Sequence, residues 1–247
     1  MKTIITGDTH GDFGPLNRLI NRKQPDIVII CGDFGFWPES TMHQMTYGGH
    51  YWATKDGFDI SEIKNQNSKI YWVPGNHEQW NNLEKEYGRR GLKPIPMWGN
   101  ENIFYCPIGS SEIINGENFL FVGGADSFDK NKRTEGVDWF KQEILNMEDW
   151  EFVVDNYQMQ KFDTIISHTC PNLFNLSLNF RPEKQGDFSR KVLDEFLNIF
   201  EPNKWYFGHW HKYMRGQFKN TDWMCLDHNR GNSKWWVDYF SWLLCSI

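Results

Sequence analysis

The sequence predicts an α/β protein in which short, buried, parallel strands alternate with helices. One observation is the continuous aliphatic run Ile27–Ile30, which is typical of a strand buried on both faces of a sheet. Another is the apolar run Thr3–Thr6, which leads through a glycine-rich loop into a helix-like stretch with Pro15 at a favourable first position. A third is that five apolar runs each end in Asp, Asn or His. This repetition indicates strand ends that share one task.

Length and composition favour one globular unit. The chain has 247 residues, of which 39% are hydrophobic and 17% aromatic, enough to bury one large core. No Pro, Gly or Ser linker divides it, so we expect a single domain over residues 1–247. The formal net charge of −6 offers no broad attraction for nucleic-acid phosphates, so extended nucleic-acid binding is not expected.

Targeting signals and cysteine spacing point to the cytoplasm. The amino terminus "MKTIITGD" lacks the apolar core of a signal peptide, and no segment approaches the length of a membrane span. The five cysteines are odd in number, widely spaced and without a C-x-x-C pair, which argues against a disulfide framework or a zinc knuckle. We therefore expect a cytoplasmic protein with no membrane partner.

Metal-capable side chains follow each of the five runs, in "GDTHG", "GDFG", "GNHE", "SHTCP" and "GHWH". In open α/β sheets, ligands collect beyond the carboxyl ends of the strands, so these side chains are expected to meet at one place. The candidate metal ligands are Asp8, His10, Asp33, Asn76, His168, His209 and His211. Oxygen and imidazole donors without thiolates suit manganese, iron or zinc. Seven donors exceed the need of one ion, and Asp33 could bridge two.

Simpler interpretations exist for each residue taken alone. A Gly-Asp pair at a strand end is commonly a turn or a helix cap, and an isolated histidine is more often hydrogen-bonded than a ligand. Recurrence of the pattern at five strand ends favours the metal interpretation. His209 and His211 are expected to alternate along a strand and face one side. His43, His50 and His228 lack this context and are interpreted as surface or structural residues.

Together, these five motifs, in this order over residues 7–211, resemble the calcineurin-like metallophosphoesterases. The resemblance implies a four-layer α-β-β-α sandwich of two central mixed sheets flanked by helices. It implies two divalent metal ions, for which Mn²⁺ is the expected metal and Fe, Zn or Ni are the alternatives. One ion would be held by Asp8, His10, Asp33 and His211, and the other by Asp33, Asn76, His168 and His209. His77 would lie near the substrate and protonate the leaving group, while water activated at the ions attacks phosphorus in line.

The subclass follows from the second and fifth motifs. Serine/threonine phosphatases of this superfamily carry G-D-x-V-D-R-G, and here Phe34 to Trp37 replace the end of that segment. The G-H-x-H ending instead resembles the phosphodiesterase branches. We expect hydrolysis of a phosphodiester of a nucleotide or other small molecule, with a phosphomonoesterase or protein phosphatase as the alternative. A non-catalytic interaction scaffold ranks last, because all the ligand positions are present.

Other segments give weaker expectations. Arg89, Arg90, Arg133 and Arg181 could contact phosphate, although a loop arginine is usually solvated. The stretch "GGADSFDKNKR", residues 123–133, is similar to a segment of bacterial and phage members whose role is open.

Two further regions, 40–57 and the tryptophan-rich tail, also invite interpretation. The irregular region 40–57 is a candidate substrate-side loop, or else a surface insertion. In the tail, alternation around Trp236, Asp238 and Phe240 predicts a terminal strand packed on the core.

Overall fold

The computed structural model describes residues 1–37, 45–47, 50–52, 63–64, 67–98, 100–158, 160–176 and 187–240. Its strands are β1 (Thr3–Thr6), β2 (Ile27–Ile30), β3 (Met45–Tyr47), β4 (His50–Trp52), β5 (Lys69–Trp72), β6 (Ile95–Met97), β7 (Asn100–Tyr105), β8 (Ser111–Ile114), β9 (Glu117–Val122), β10 (Thr164–Ser167), β11 (Lys204–Phe207), β12 (Met214–Phe218), β13 (Thr221–Cys225) and β14 (Trp236–Tyr239). Its helices are α1 (Phe13–Lys23), α2 (Trp80–Tyr87), α3 (Met147–Tyr157) and α4 (Phe188–Phe200).

Two six-stranded mixed sheets form the centre of the protein. The first has the order β14-β1-β2-β5-β7-β6 and the second the order β12-β13-β11-β10-β9-β8. In each sheet the four central strands are parallel and the two edge strands antiparallel. The predicted strands 3–6 and 27–30 are confirmed, and all four residues of β2 are buried, as expected for a central parallel strand.

The order of the layers can be seen from the strands, in which successive side chains point to opposite faces of the sheet. In β2, Val28 and Ile30 face α1 and α2, whereas Ile29 faces the other sheet, in a cluster with Phe121 and Ile166. On its outer face the second sheet packs against α3 and α4 through residues such as Val153 and Phe196 in a third cluster. Helix, sheet, sheet and helix therefore stack in the predicted four-layer α-β-β-α sandwich.

Two elements differ from the sequence expectation, one in where it begins and the other in which face it buries. Helix α1 begins at Phe13, before Pro15, because the Asp12 side chain caps it by accepting the Gly14 N–H at 3.2 Å. The predicted terminal strand exists as β14, antiparallel to β1. Its buried residues are Val237 and Tyr239, so the expected inward face was wrong by one residue. Phe240 is 75% exposed.

Region 40–57 and the helix lengths bear on two further sequence expectations. The region 40–57 lies outside the described residues except for the short antiparallel pair β3–β4. No helix in the described ranges is long and apolar enough to cross a membrane.

Candidate metal centre

Every predicted ligand lies in a loop that follows the carboxyl end of a parallel strand. The loops after β1, β2 and β5 come from the first sheet, and those after β10 and β11 come from the second. The facing edges of the two sheets bring these loops together. The residues that meet there are Asp8, His10, Asp33, Asn76, His77, His168, His209 and His211.

Four of these residues form what we call the outer group: Asp8, His10, Asp33 and His211. Each offers one donor atom, and the four atoms lie within 4.8 Å of one another. His10 Nε2 is 3.1 Å from His211 Nε2, which is itself 3.3 Å from Asp8 Oδ2. Two imidazole nitrogens and a carboxylate therefore point at a common centre, as they do around a cation.

Three further residues form the inner group: Asn76, His168 and His209. Asn76 Oδ1 lies 3.0 Å from both His168 Nε2 and His209 Nδ1. His168 Nε2 is also 3.3 Å from Asp33 Oδ2. Donors at right angles around an ion with bonds of about 2.1 Å would be about 3 Å apart. Asp33 thus belongs to the outer group and also faces the inner group.

Tautomer chemistry provides a test of whether a cation fits the inner group. His168 Nδ1 lies 2.9 Å from the Cys31 carbonyl oxygen, so Nδ1 carries a proton there. In the neutral ring Nε2 then carries a lone pair. That lone pair faces the oxygens of Asn76 and Asp33, which are electron-rich as well, so the neutral ring is disfavoured by its neighbours. Burial disfavours a charged ring, but Asp33 and then Asp8 outweigh it and raise the pKa of His168 to about 9. Positive charge is favoured at this point, and a divalent ion fits.

The ring nitrogens of His209 also support a cation at the inner group. His209 Nε2 is buried without a hydrogen-bond partner among the described residues, whereas Nδ1 of the same ring faces Asn76. Burial first, with the neighbouring His168, keeps the pKa of His209 well below its usual value, so its ring stays neutral and able to ligate.

Backbone geometry brings the donors this close. Four candidate ligands have left-handed backbone, with φ of 49° at His10, 43° at Asp33, 66° at His209 and 47° at His211. Such conformations cost about 1–3 kcal/mol each and are found at functional sites. The neighbouring glycines leave room, since a Cβ on Gly208 would lie 1.9 Å from Asp8 Oδ1.

The expected strand alternation of His209 and His211 is wrong. Strand β11 ends at Phe207, and both histidines lie in the loop beyond it with positive φ. The turn sends the two rings to different groups, His209 to the inner and His211 to the outer.

Glu78, the last residue of "GNHE", connects two loops of the site, a role that the sequence analysis does not assign to it. Its buried carboxyl accepts backbone N–H groups of Phe34, Gly35 and Gly75 at 2.8, 3.2 and 3.3 Å. Burial, followed by the charge of Asp33, raises the pKa of Glu78 to about 8. Glu78 joins the loops after β2 and β5 and so sets the spacing between Asp33 and Asn76.

His77 lies beside the centre without being part of either group. Its backbone N–H donates to Asp33 Oδ1 at 2.9 Å, and its ring lies 5.4 Å from that of His10. Burial lowers the pKa of His77 well below its ordinary value despite the opposing charge of Asp33. This position suits a residue that contacts a ligand bound between the two groups.

The four arginines considered as phosphate-binding candidates differ in location and in the partners that they contact. Arg89 and Arg90 bind the buried carboxylate of Asp149 at 2.6 and 2.7 Å, so their role is structural and that expectation was wrong. Arg181 lies outside the described residues. Arg133 reaches the ring of His77.

His228, which the sequence analysis interprets as a surface or structural residue, lies beside the outer group. Its ring centroid lies 4.5 Å from that of His211 and 6.1 Å from that of His10. The residue follows β13, which is parallel to β11, so the rule that found the other residues also applies to "MCLDHN". His43 lies outside the described residues, as does the side chain of His50.

The segment 123–133 borders the inner group. Ser127 Oγ accepts from Asn76 Nδ2 at 2.9 Å, and the Ser127 N–H donates to Glu143 Oε1 at 2.9 Å. The Phe128 ring lies 5.2 Å from that of His209. Because Nδ2 has an acceptor, the Asn76 amide turns its oxygen toward the two histidines. This gives the segment a structural role at the centre.

Comparison with known proteins establishes the family. The family model for calcineurin-like phosphoesterases matches residues 1–213, so the chain belongs to that family. Membership of this phosphoesterase family confirms the predicted enzyme class, a phosphoester hydrolase.

One curated relative and two solved structures illustrate the similarity. A lariat debranching enzyme of Schizosaccharomyces pombe is 24% identical over 231 residues, covering 85% of this chain and 48% of that protein. The chain thus spans about half the length of this relative.

Among solved structures, the phosphopantetheinyl hydrolase PptH of Mycobacterium tuberculosis aligns with a TM-score of 0.55 at 12% identity, over 97% of this chain and 96% of that one. A Staphylococcus aureus protein provisionally described as a 5′-nucleotidase aligns with a TM-score of 0.51 at 12% identity, over 92% and 48%. These likenesses confirm the fold.

Proposed function

We propose that this chain hydrolyses a phosphodiester of a nucleotide or another small molecule, with two divalent ions held by the outer and inner groups. The single observation that carries this proposal is the position of Asp33. Its Oδ2 lies 3.3 Å from His168 Nε2 in the inner group and 3.8 Å from His10 Nδ1 in the outer group. A carboxylate placed between two sets of donors is the arrangement expected of a bridging ligand.

Each group has a definite part in this proposal. Bound divalent ions, Mn²⁺ first with Fe, Zn or Ni as alternatives, would supply positive charge that acidifies water and neutralises phosphate oxygens. Asp33 would hold both ions at a fixed separation. Asp8, His10 and His211 would complete the outer site, and Asn76, His168 and His209 the inner one. His77, whose backbone is hydrogen-bonded to Asp33, would interact with the leaving group.

The preference for a diester has its support in the sequence and in one relative. The V-D-R-G arginine that would help to hold a dianionic monoester is absent, and a diester carries a single negative charge that needs less neutralisation. The lariat debranching enzyme resemblance agrees with a phosphodiester substrate. The net charge of −6 favours a small substrate over a long nucleic acid.

Cysteine chemistry supports a cytoplasmic location within the same proposal. Cys31, Cys106, Cys170 and Cys225 are buried as free thiols. Such thiols persist in a reducing compartment.

The test compares bis(p-nitrophenyl) phosphate with p-nitrophenyl phosphate on the manganese-loaded protein, followed by dinucleotides and phosphopeptides. We expect the diester to have the higher kcat/KM, and Asp33→Asn to abolish the activity. A preference for monoesters that holds on phosphopeptides would instead identify a phosphatase. Inactivity toward every ester would contradict the proposal.

A further inference from the structure

Arg133 makes a directional contact with His77. Its Nη2 lies 3.4 Å from His77 Nε2 with the geometry of a hydrogen bond. A guanidinium has donors only, so Nε2 must be the acceptor and the ring proton must be on Nδ1. The contact therefore fixes one of the two tautomers of the imidazole, as well as the rotation of the ring.

Arg133 is itself held in place. Its guanidinium is 2.8 Å from Asp129 Oδ1, and Nη1 donates to the Asp138 carbonyl oxygen at 3.5 Å. The side chain is only 9% exposed. A substrate would find little of this guanidinium to bind, so the geometry favours action through His77 over a direct contact with phosphate.

The backbone of His77 is fixed by separate contacts. The His77 N–H donates to Asp33 Oδ1 at 2.9 Å, and the His77 carbonyl oxygen accepts from Trp37 Nε1 at 2.9 Å. With the main chain held at both ends, the remaining freedom of the residue is in its side-chain torsions. Arg133 acts on that freedom.

We propose that Arg133 is a positioning residue for His77, whose ring it holds in one orientation and in the tautomer with the proton on Nδ1. The kinetic consequence rests on the proposed phosphodiesterase function, whereas the tautomer does not. The proposal also gives the segment 123–133 a role at its carboxyl end, because Asp129 and Arg133 both belong to it.

The kinetic test is a double-mutant cycle on a dinucleoside monophosphate, whose alkoxide leaving group depends on a donor. We expect Arg133→Met to lower kcat roughly 10-fold through misplacement of His77, with KM within about two-fold. In the His77→Ala background the same change should have no further effect. Arg133→Lys should restore part of kcat, and Arg215→Met, at an exposed position on β12, serves as the control. Multiplicative effects, or a rise confined to KM, would overturn the proposal.

The second test reads the tautomer directly. In zinc-loaded protein labelled with nitrogen-15 at histidine, His77 is assigned by the signals lost in His77→Ala. We expect a protonated Nδ1 and a bare Nε2 in the wild type, and a mixture of tautomers in Arg133→Met. A protonated Nε2 in the wild type would overturn the proposal. If the wild type cleaves no phosphodiester, the proposed function fails, and this spectrum alone decides the role of Arg133.

Discussion

The inner and outer groups use the same kinds of donor in different surroundings. In the inner group, His168 and Asn76 are buried, and each is oriented by a hydrogen bond outside the group, to Cys31 and Ser127 respectively. In the outer group, the side chain of His211 is 33% exposed and that of His10 is 10% exposed. We infer that the inner group is the preformed half, which would retain its ion, and that the outer group is the half open to substrate.

Asp33→Asn should have the largest effect, because one oxygen of Asp33, Oδ2, lies 3.3 Å from His168 Nε2 in the inner group and 3.8 Å from His10 Nδ1 in the outer group. An amide keeps the shape but removes the charge and one ligand oxygen, so both ions should be weakened together. We expect kcat/KM on bis(p-nitrophenyl) phosphate to fall at least about 10³-fold, since several kcal/mol of transition-state stabilisation depend on the ions. Asp155→Asn, at an exposed position on α3, is the control. A variant with nearly full activity would show that the two halves work separately.

Ser127→Ala should weaken the inner half specifically. Without the hydroxyl, Asn76 Nδ2 loses its acceptor, and the amide is no longer fixed with its oxygen toward His168 and His209. Loss of such an orienting partner typically costs about 10- to 100-fold in metal affinity. Manganese titration should show this loss at the tighter site. The control is Ser68→Ala, which also removes a buried hydrogen bond, from Ser68 Oγ to the Pro25 carbonyl oxygen before β5. Equal effects of both variants would contradict a specific role for Ser127.

Glu143→Gln should have a smaller effect, on stability and its dependence on pH. Burial raises the pKa of Glu143 from 4.5 to about 8. The folded protein therefore binds more protons than the unfolded chain between these values, and the contribution of this group to stability falls as pH rises through that window. The slope for one group is at most about 1.4 kcal/mol per pH unit.

Urea unfolding from pH 5 to pH 8 measures this contribution. Glu143→Gln should show a shallower decline in unfolding free energy than the wild type, while Glu101→Gln, at an exposed position on β7, should match the wild type. If the decline is as steep in Glu143→Gln, another group is responsible for it.

The sequence was most informative where consecutive parallel strands end. Asp8, Asp33, Asn76 and His168 could be placed together because carboxyl ends of parallel strands meet at one edge, whatever the details of packing. His228 obeys the same rule after β13 and could have been found by extending the search to a sixth apolar run.

The remaining contacts depend on tertiary structure. Ser127 reaches Asn76 across 51 residues of sequence, and Arg133 reaches His77 across 56. Neither pairing has a local pattern, since each depends on how the loops after β9 and β5 pack. The left-handed turn after β11 is similar, because histidine carries no signal for positive φ as strong as that of glycine. The strand-like spacing of His209 and His211 therefore led to the wrong prediction that both lie on a strand and face the same side.

Metal content tests the central claim, that two ions share Asp33, most directly. Wild type, His211→Ala and Asp33→Asn are loaded with manganese, freed of excess by gel filtration and analysed for bound metal per chain. We predict close to two equivalents in the wild type, about one in His211→Ala, where the inner group is intact, and less than one in Asp33→Asn. A wild-type protein that never holds more than one equivalent, or an Asp33→Asn variant that holds two, would contradict the account.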